Sequence, residues 1–159
     1  MLIRPQSSGD DSAIDRNLMS VGAVLFDIDN TLVDHHTSAV RGISEHLARL
    51  YPELSSNDLE PATATWLELE EIHMNGYLSG ACTFQEQRRR RVRAMLDVLR
   101  REPLSEAGID EWFAGYLHRY ESSWCLFPDV VPALDQLRRL KNSPILGVLT
   151  NGDASQQNQ

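Results

Sequence analysis

Cysteine is scarce in this chain: Cys82 and Cys125 are the only two in 159 residues. Two cysteines this far apart build neither a disulfide framework nor the closely spaced thiolates of a zinc site, so a reducing, cytoplasmic setting is the expectation. Long apolar runs are missing as well. None approaches the roughly 18 residues of a membrane span, and the first twenty residues lack the basic start and apolar core of a signal peptide. Basic charge is in deficit, with 15 Lys and Arg against 23 Asp and Glu for a net −8. A net anion of this kind is repelled by phosphate-rich surfaces, which argues against a general binder of nucleic acid or anionic membrane. Internal repeats and low-complexity tracts are also lacking. What remains is 42% hydrophobic and 24% charged, the balance of a globular protein with a buried core, of a size for one domain or a small core carrying an inserted module.

Residues 1–20 mix Pro, Ser, Gly and Asp without apolar periodicity and read as a mobile leader, with Met19 an alternative start of translation. The run Val21 to Phe26 is continuously apolar and stops at Asp27; a second, Ile145 to Leu149, stops at Thr150. Uninterrupted apolar runs of this length predict strands of a parallel sheet covered on both faces. Between them the spacing is helical. Val40, Ile43, Leu47 and Leu50 form one stripe; Leu59, Ala62, Trp66 and Leu69 form another after a cap at Asn57 or Asp58, in a helix expected to break at the turn from Asn75-Gly76 through Gly80. Thr83 and Glu86 form a capping box for a helix bearing Val92, Met95, Leu96 and Leu99. A further helix starting near Asp110 carries Trp112, Tyr116 and Tyr120, and a last one follows Asp129.

Chemistry concentrates where the two strands end. Asp27 and Asp29 lie two apart in extended chain, so their carboxylates can face one pocket while Ile28 turns inward. Two crowded carboxylates repel, and a hard divalent cation such as Mg²⁺ relieves that cost. A carboxylate beside Mg²⁺ can attack phosphorus while its neighbour handles the leaving group's proton. The same Asp-Ile-Asp-Asn-Thr run also makes a good strand-terminating turn. The ending of the second strand, Leu149-Thr150-Asn151-Gly152, offers a hydroxyl, an amide and backbone N–H donors to an anion. Open parallel sheets bind ligands beyond the carboxyl ends of their strands, where both endings fall.

Val24 to Val33 (VLFDIDNTLV) resembles the first signature of the haloacid dehalogenase superfamily of hydrolases, and Gly147 to Gly152 (GVLTNG) resembles its second. Phe127-Pro128-Asp129-Val130 is similar to the segment leading from that family's cap back to its core. The resemblance implies an α/β fold: a Rossmann-like parallel-sheet core over residues 21–33 and 125–159, with an α-helical cap inserted over residues 34–124. It implies that Asp27 is the nucleophile and serves Mg²⁺, that Asp29 is the general acid and base and also gives Mg²⁺ a backbone carbonyl, that Thr150 binds the transferring phosphoryl group, and that Asn151 gives a supporting contact. Members that break carbon–halogen bonds lack an acid at the position of Asp29, because halide leaves without a proton, whereas an alkoxide needs one. The expected activity is therefore a Mg²⁺-dependent phosphatase acting on a small phosphorylated metabolite through an aspartyl-phosphate. The alternatives are a non-catalytic interaction module built on the cap and, third, a 2-haloacid dehalogenase.

The family's pattern also requires a lysine and a later acidic cluster after the second signature. Only Asn151 to Gln159 follow Thr150, with Asp153 their sole acid. The expectation is an amino-terminal part of a longer protein, inactive alone, whose strands leave apolar surface uncovered. Arg88, Arg89, Arg90, Arg91 and Arg93 form the one basic cluster and read as a solvated helix face with a Glu86–Arg90 pair. His35 and His36 read as hinge surface, without a ligand role.

Overall fold

A computed structural model of the chain describes residues 21–150. The expected leader over residues 1–20, and Asn151, lie outside the described residues. In chain order the elements are β1 (Ala23–Phe26), α1 (His35–Leu50), α2 (Ser56–Leu78), α3 (Phe84–Val98), α4 (Glu106–Ser122), α5 (Val130–Arg139) and β2 (Ile145–Val148). β1 and β2 pair in parallel, in a register running from Ala23 opposite Ile145 to Phe26 opposite Val148. The architecture is α/β, a Rossmann-like parallel pair interrupted by an inserted helical cap. Two compact units result. One takes in residues 21–33 and 126–150; the other is Asp34–Cys125, all helix and connection.

Caps set the helix boundaries. The Asp34 carboxylate accepts from the Thr37 amide at 2.9 Å and starts α1. At α2 the cap is Ser55, whose amide and hydroxyl donate to Asp58 at 3.0 and 2.6 Å. Asp58 thus acts as the third residue of the capping pattern, and neither it nor Asn57 is the cap itself. The expected break falls at the Gly80 end of the turn, and the helix runs on through Asn75-Gly76. Asn75 still accepts the Ser79 amide at 3.0 Å, and the helix ends before Gly80, whose φ of +78° is the left-handed position that glycine fills without strain. Thr83 caps α3 by accepting the Glu86 amide at 3.1 Å, as the capping box predicted. α4 begins at Glu106 rather than near Asp110, because the Ser105 hydroxyl accepts the Gly108 amide at 3.2 Å and caps a turn earlier.

In the helical unit the apolar stripes meet. Ala39, Ile43 and Leu47 of α1, Ala62 and Trp66 of α2, Val92, Met95 and Leu96 of α3, and Ile109, Trp112, Phe113, Tyr116 and Tyr120 of α4 form one buried cluster. Trp112, Tyr116 and Tyr120 are therefore core. α1 crosses α4 closely at Gly42, where an added Cβ would lie 2.7 Å from the backbone of Tyr120. That contact explains a glycine in a helix interior, where it otherwise costs about 1 kcal/mol against alanine.

The strand unit is different. Leu25, Ile145, Val148 and Leu149 are all more than half exposed, and Val130 is its buried apolar anchor. The sheet expected to be covered on both faces is open over the described residues, because two short strands and α5 have too little surface to cover both sides of a sheet. Among the described residues, no helix is long and apolar enough to cross a membrane.

One buried base gives the helical unit a pH dependence. His46 sits edge-on to the Trp112 ring, centroids 4.4 Å apart, with Nδ1 3.3 Å from the Arg119 guanidinium. Burial, helped by the Arg119 charge, lowers its pKa to about 4. The folded state therefore refuses a proton that the unfolded state takes up below about pH 6.5. Stability is full above that value and is lost as the pH falls toward 4. Through His46 alone, the free energy of unfolding is expected to drop by about 2 kcal/mol between pH 7 and pH 5. Burial and the Arg90 and Arg91 charges also lower His73, which adds to the slope. Urea midpoints at the two pH values, for the native protein and His46→Leu, measure the His46 share; an unchanged difference between midpoints would refute it.

Candidate active site

Asp27 is the first residue beyond β1, and the pairing continues one step past the strands, with the Leu149 amide donating to the Phe26 carbonyl at 2.9 Å. Extending the register by two residues sets Ile28 opposite Thr150. Asp27 and Thr150 therefore leave the carboxyl ends of neighbouring parallel strands, as the reading of two coincident endings required. Asn151 lies outside the described residues.

Beyond Asp27 the chain folds into a tight turn. The amides of Thr31, Leu32 and Val33 converge on the Ile28 carbonyl at 3.3, 2.9 and 3.0 Å, and the Asn30 amide donates to the Val33 carbonyl at 2.9 Å. These bonds set Asp29 and Val33 side by side in a one-residue parallel bridge. Asn30 takes a φ of +57°, in the left-handed region. The turn brings Thr31 back toward the strand end, where its hydroxyl donates to Asp27 Oδ2 at 3.3 Å. Thr31 was not singled out as a site residue. Its place four residues after Asp27 is the signal, since only a reversed chain returns it to that carboxylate. Asp27 and Asp29 are both exposed.

Among the described residues neither aspartate has an ion-pair partner, and their donors are hard carboxylate oxygens, the set that suits Mg²⁺. The same residues hold no cluster of three or more His, Cys, Asp or Glu side chains fit to hold a metal. Asp27 and Asp29 offer oxygen donors of the kind Mg²⁺ takes, short of a complete shell among the described residues.

The family model of the haloacid dehalogenase-like hydrolases matches residues 21–159. The chain belongs to this family. Two solved structures resemble this chain. The HAD-hydrolase YfnB from Bacillus subtilis, described as bound to magnesium, aligns with a TM-score of 0.70 at 17% identity over 87% of this chain and 56% of its own. The defluorinating L-2-haloacid dehalogenase Rha0230 aligns with a TM-score of 0.57 at 26% identity over 87% of this chain and 54% of its own. The chain thus spans little more than half the length of either. No curated protein gives a significant match.

The arginines of α3 are accounted for within the helical unit. Arg89 grips Asp110 through two bonds of 2.9 and 2.7 Å and reaches Glu106 at 2.7 Å. Arg90 and Arg93 share the Glu86 carboxylate at 3.0 and 3.2 Å, which includes the expected Glu86–Arg90 pair. Arg88 lies over the Phe84 ring, 4.3 Å from its centroid. Arg91 departs from the solvated-face reading. It is 3% exposed, stacked 3.8 Å over Trp66 and bonded to Glu70 at 2.8 Å. Position 91 points inward because α3 turns the face carrying Gln87, Arg91 and Met95 toward the core.

His35 departs as well. It is half-buried, 2.8 Å from the Tyr120 hydroxyl and 3.6 Å from Glu70, so it joins the ends of α1 and α4 to α2. Periodicity could not show this Arg91–Glu70–His35–Tyr120 chain, because its members come from four different helices.

Proposed function

We propose that this chain is part of a Mg²⁺-dependent phosphatase of a small phosphorylated metabolite. The observation that supports the reading is the parallel pairing of β1 with β2, from whose adjacent carboxyl ends the segments carrying Asp27 and Thr150 leave. A carboxylate oxygen of Asp27 attacks phosphorus, forming an acyl phosphate as the bond from phosphorus to the leaving oxygen breaks. Asp29, protonated, gives its proton to that oxygen so that it departs as an alcohol. Water then attacks the same phosphorus, Asp29 takes its proton, and inorganic phosphate leaves with Asp27 regenerated. The Thr150 hydroxyl donates to the phosphoryl oxygens. The Asp27 carboxylate and the Asp29 backbone carbonyl would hold Mg²⁺, which would supply positive charge to offset the gathering of anions.

A second reading, 2-haloacid dehalogenase, is favoured by the likeness to Rha0230 at 26% identity. Asp29 opposes it, because halide release needs no proton donor at that position. Phosphate release from p-nitrophenyl phosphate and halide release from 2-chloropropionate by the complete protein that carries this chain, each with and without Mg²⁺, separate the two. The expected result is Mg²⁺-dependent phosphate release, reduced by about 10² to 10⁴ in Asp29→Asn. Halide release without phosphate release, unaffected by Asp29→Asn, would establish the dehalogenase instead.

A further inference from the structure

We infer that Asn30 is a positioning residue whose left-handed backbone holds the Asp27–Thr31 arrangement in place, an inference that rests on the phosphatase reading for its catalytic consequence. Only two non-glycine residues among those described have a positive φ, Asn30 and Arg100, and Asn30 sits inside the candidate site. A residue with a Cβ enters this region at a cost, and asparagine is among the few that do so readily; for a β-branched residue it is a genuine outlier.

At Asn30 that conformation has a definite product. It reverses the chain between Asp29 and Thr31, so that three successive amides close on Ile28 and the Asn30 amide closes on Val33. The Thr31 hydroxyl reaches Asp27 Oδ2 only because the chain turns back. If residue 30 reverted to a right-handed or extended backbone, this set of bonds would open together, and Asp27 and Asp29 would lose their fixed relation. Asn30 acts through its backbone, so a glycine should replace it and a valine should not.

Two measurements on the purified protein test this: amide hydrogen exchange at Thr31, Leu32 and Val33, and the kinetics of p-nitrophenyl phosphate hydrolysis. Asn30→Val is expected to speed exchange of these three amides about tenfold, the scale of a left-handed backbone penalty, while that of Ile43 in α1 stays unchanged. It is also expected to lower kcat about tenfold with KM unchanged. Asn30→Gly is expected to keep both near the native values. Native exchange in Asn30→Val overturns the inference, as does an Asn30→Gly protein as impaired as the valine variant, which would mean that the side-chain amide does the holding. If the complete protein that carries this chain turns over no phosphate ester, the phosphatase reading fails by itself. The exchange comparison still decides whether Asn30 holds the turn.

Discussion

Asp27→Asn is expected to reduce phosphate-ester turnover by at least about a thousandfold, the largest effect of any single replacement here. The amide occupies nearly the same volume and can still accept the Thr31 hydroxyl bond, so the turn beyond β1 keeps its shape. What it removes is the nucleophile: an amide oxygen does not form the acyl phosphate, and the reaction must fall back on direct attack by water. It also removes the carboxylate that fits Mg²⁺, so rate and metal affinity should fall together. Single-turnover measurement with a radiolabelled phosphate ester separates these effects, since the native protein should carry acid-stable label on Asp27 and the variant none. A variant with native kcat would end the nucleophile assignment.

Glu70→Ala is expected to destabilise the helical unit by about 3–5 kcal/mol. Glu70 is the carboxylate partner of Arg91, which is buried under the Trp66 ring at 3% exposure and cannot recover water when the carboxylate is lost. Burial pushes the Glu70 carboxyl up, but its hydrogen bond to His35 and the Arg91 and His35 charges outweigh that and hold it below the usual carboxylate range. The carboxylate is thus ionised where it sits, and its removal strands a cation. The double variant Glu70→Leu with Arg91→Met should recover most of the loss, because an apolar pair of similar volume removes both desolvation costs. Urea midpoints of the single and double variants provide the check. A single variant within 1 kcal/mol of the native protein would show that Arg91 finds another partner.

The aromatic stripe of α4 was legible because burial of a helix face imposes a period, and Trp112, Tyr116 and Tyr120 obey it. The Thr83 cap was legible because the capping box is local. The start of α4 was misread toward Asp110 because serine and aspartate both cap well in isolation. Ser105 prevails by opening the helix early enough for Ile109 to join the core while Asp110 faces Arg89. Arg91 was misread for a related reason. A run of four arginines suggests water, yet the helix turns about 100° per residue and must send one of them inward.

By itself, then, the sequence determined two apolar strands ending in Asp27 and Thr150, the helical insertion between them, and the candidate chemistry, because strand runs, helix stripes and the spacing of short motifs are all local patterns. Only the tertiary structure decided which strand lies beside which and in what register, that Asn30 turns left-handed to return Thr31 to Asp27, and that Arg91, Glu70, His35 and Tyr120 meet. Each of those facts depends on residues far apart in the chain or on a backbone choice shared by a whole turn, and no local pattern records the distance that folding closes.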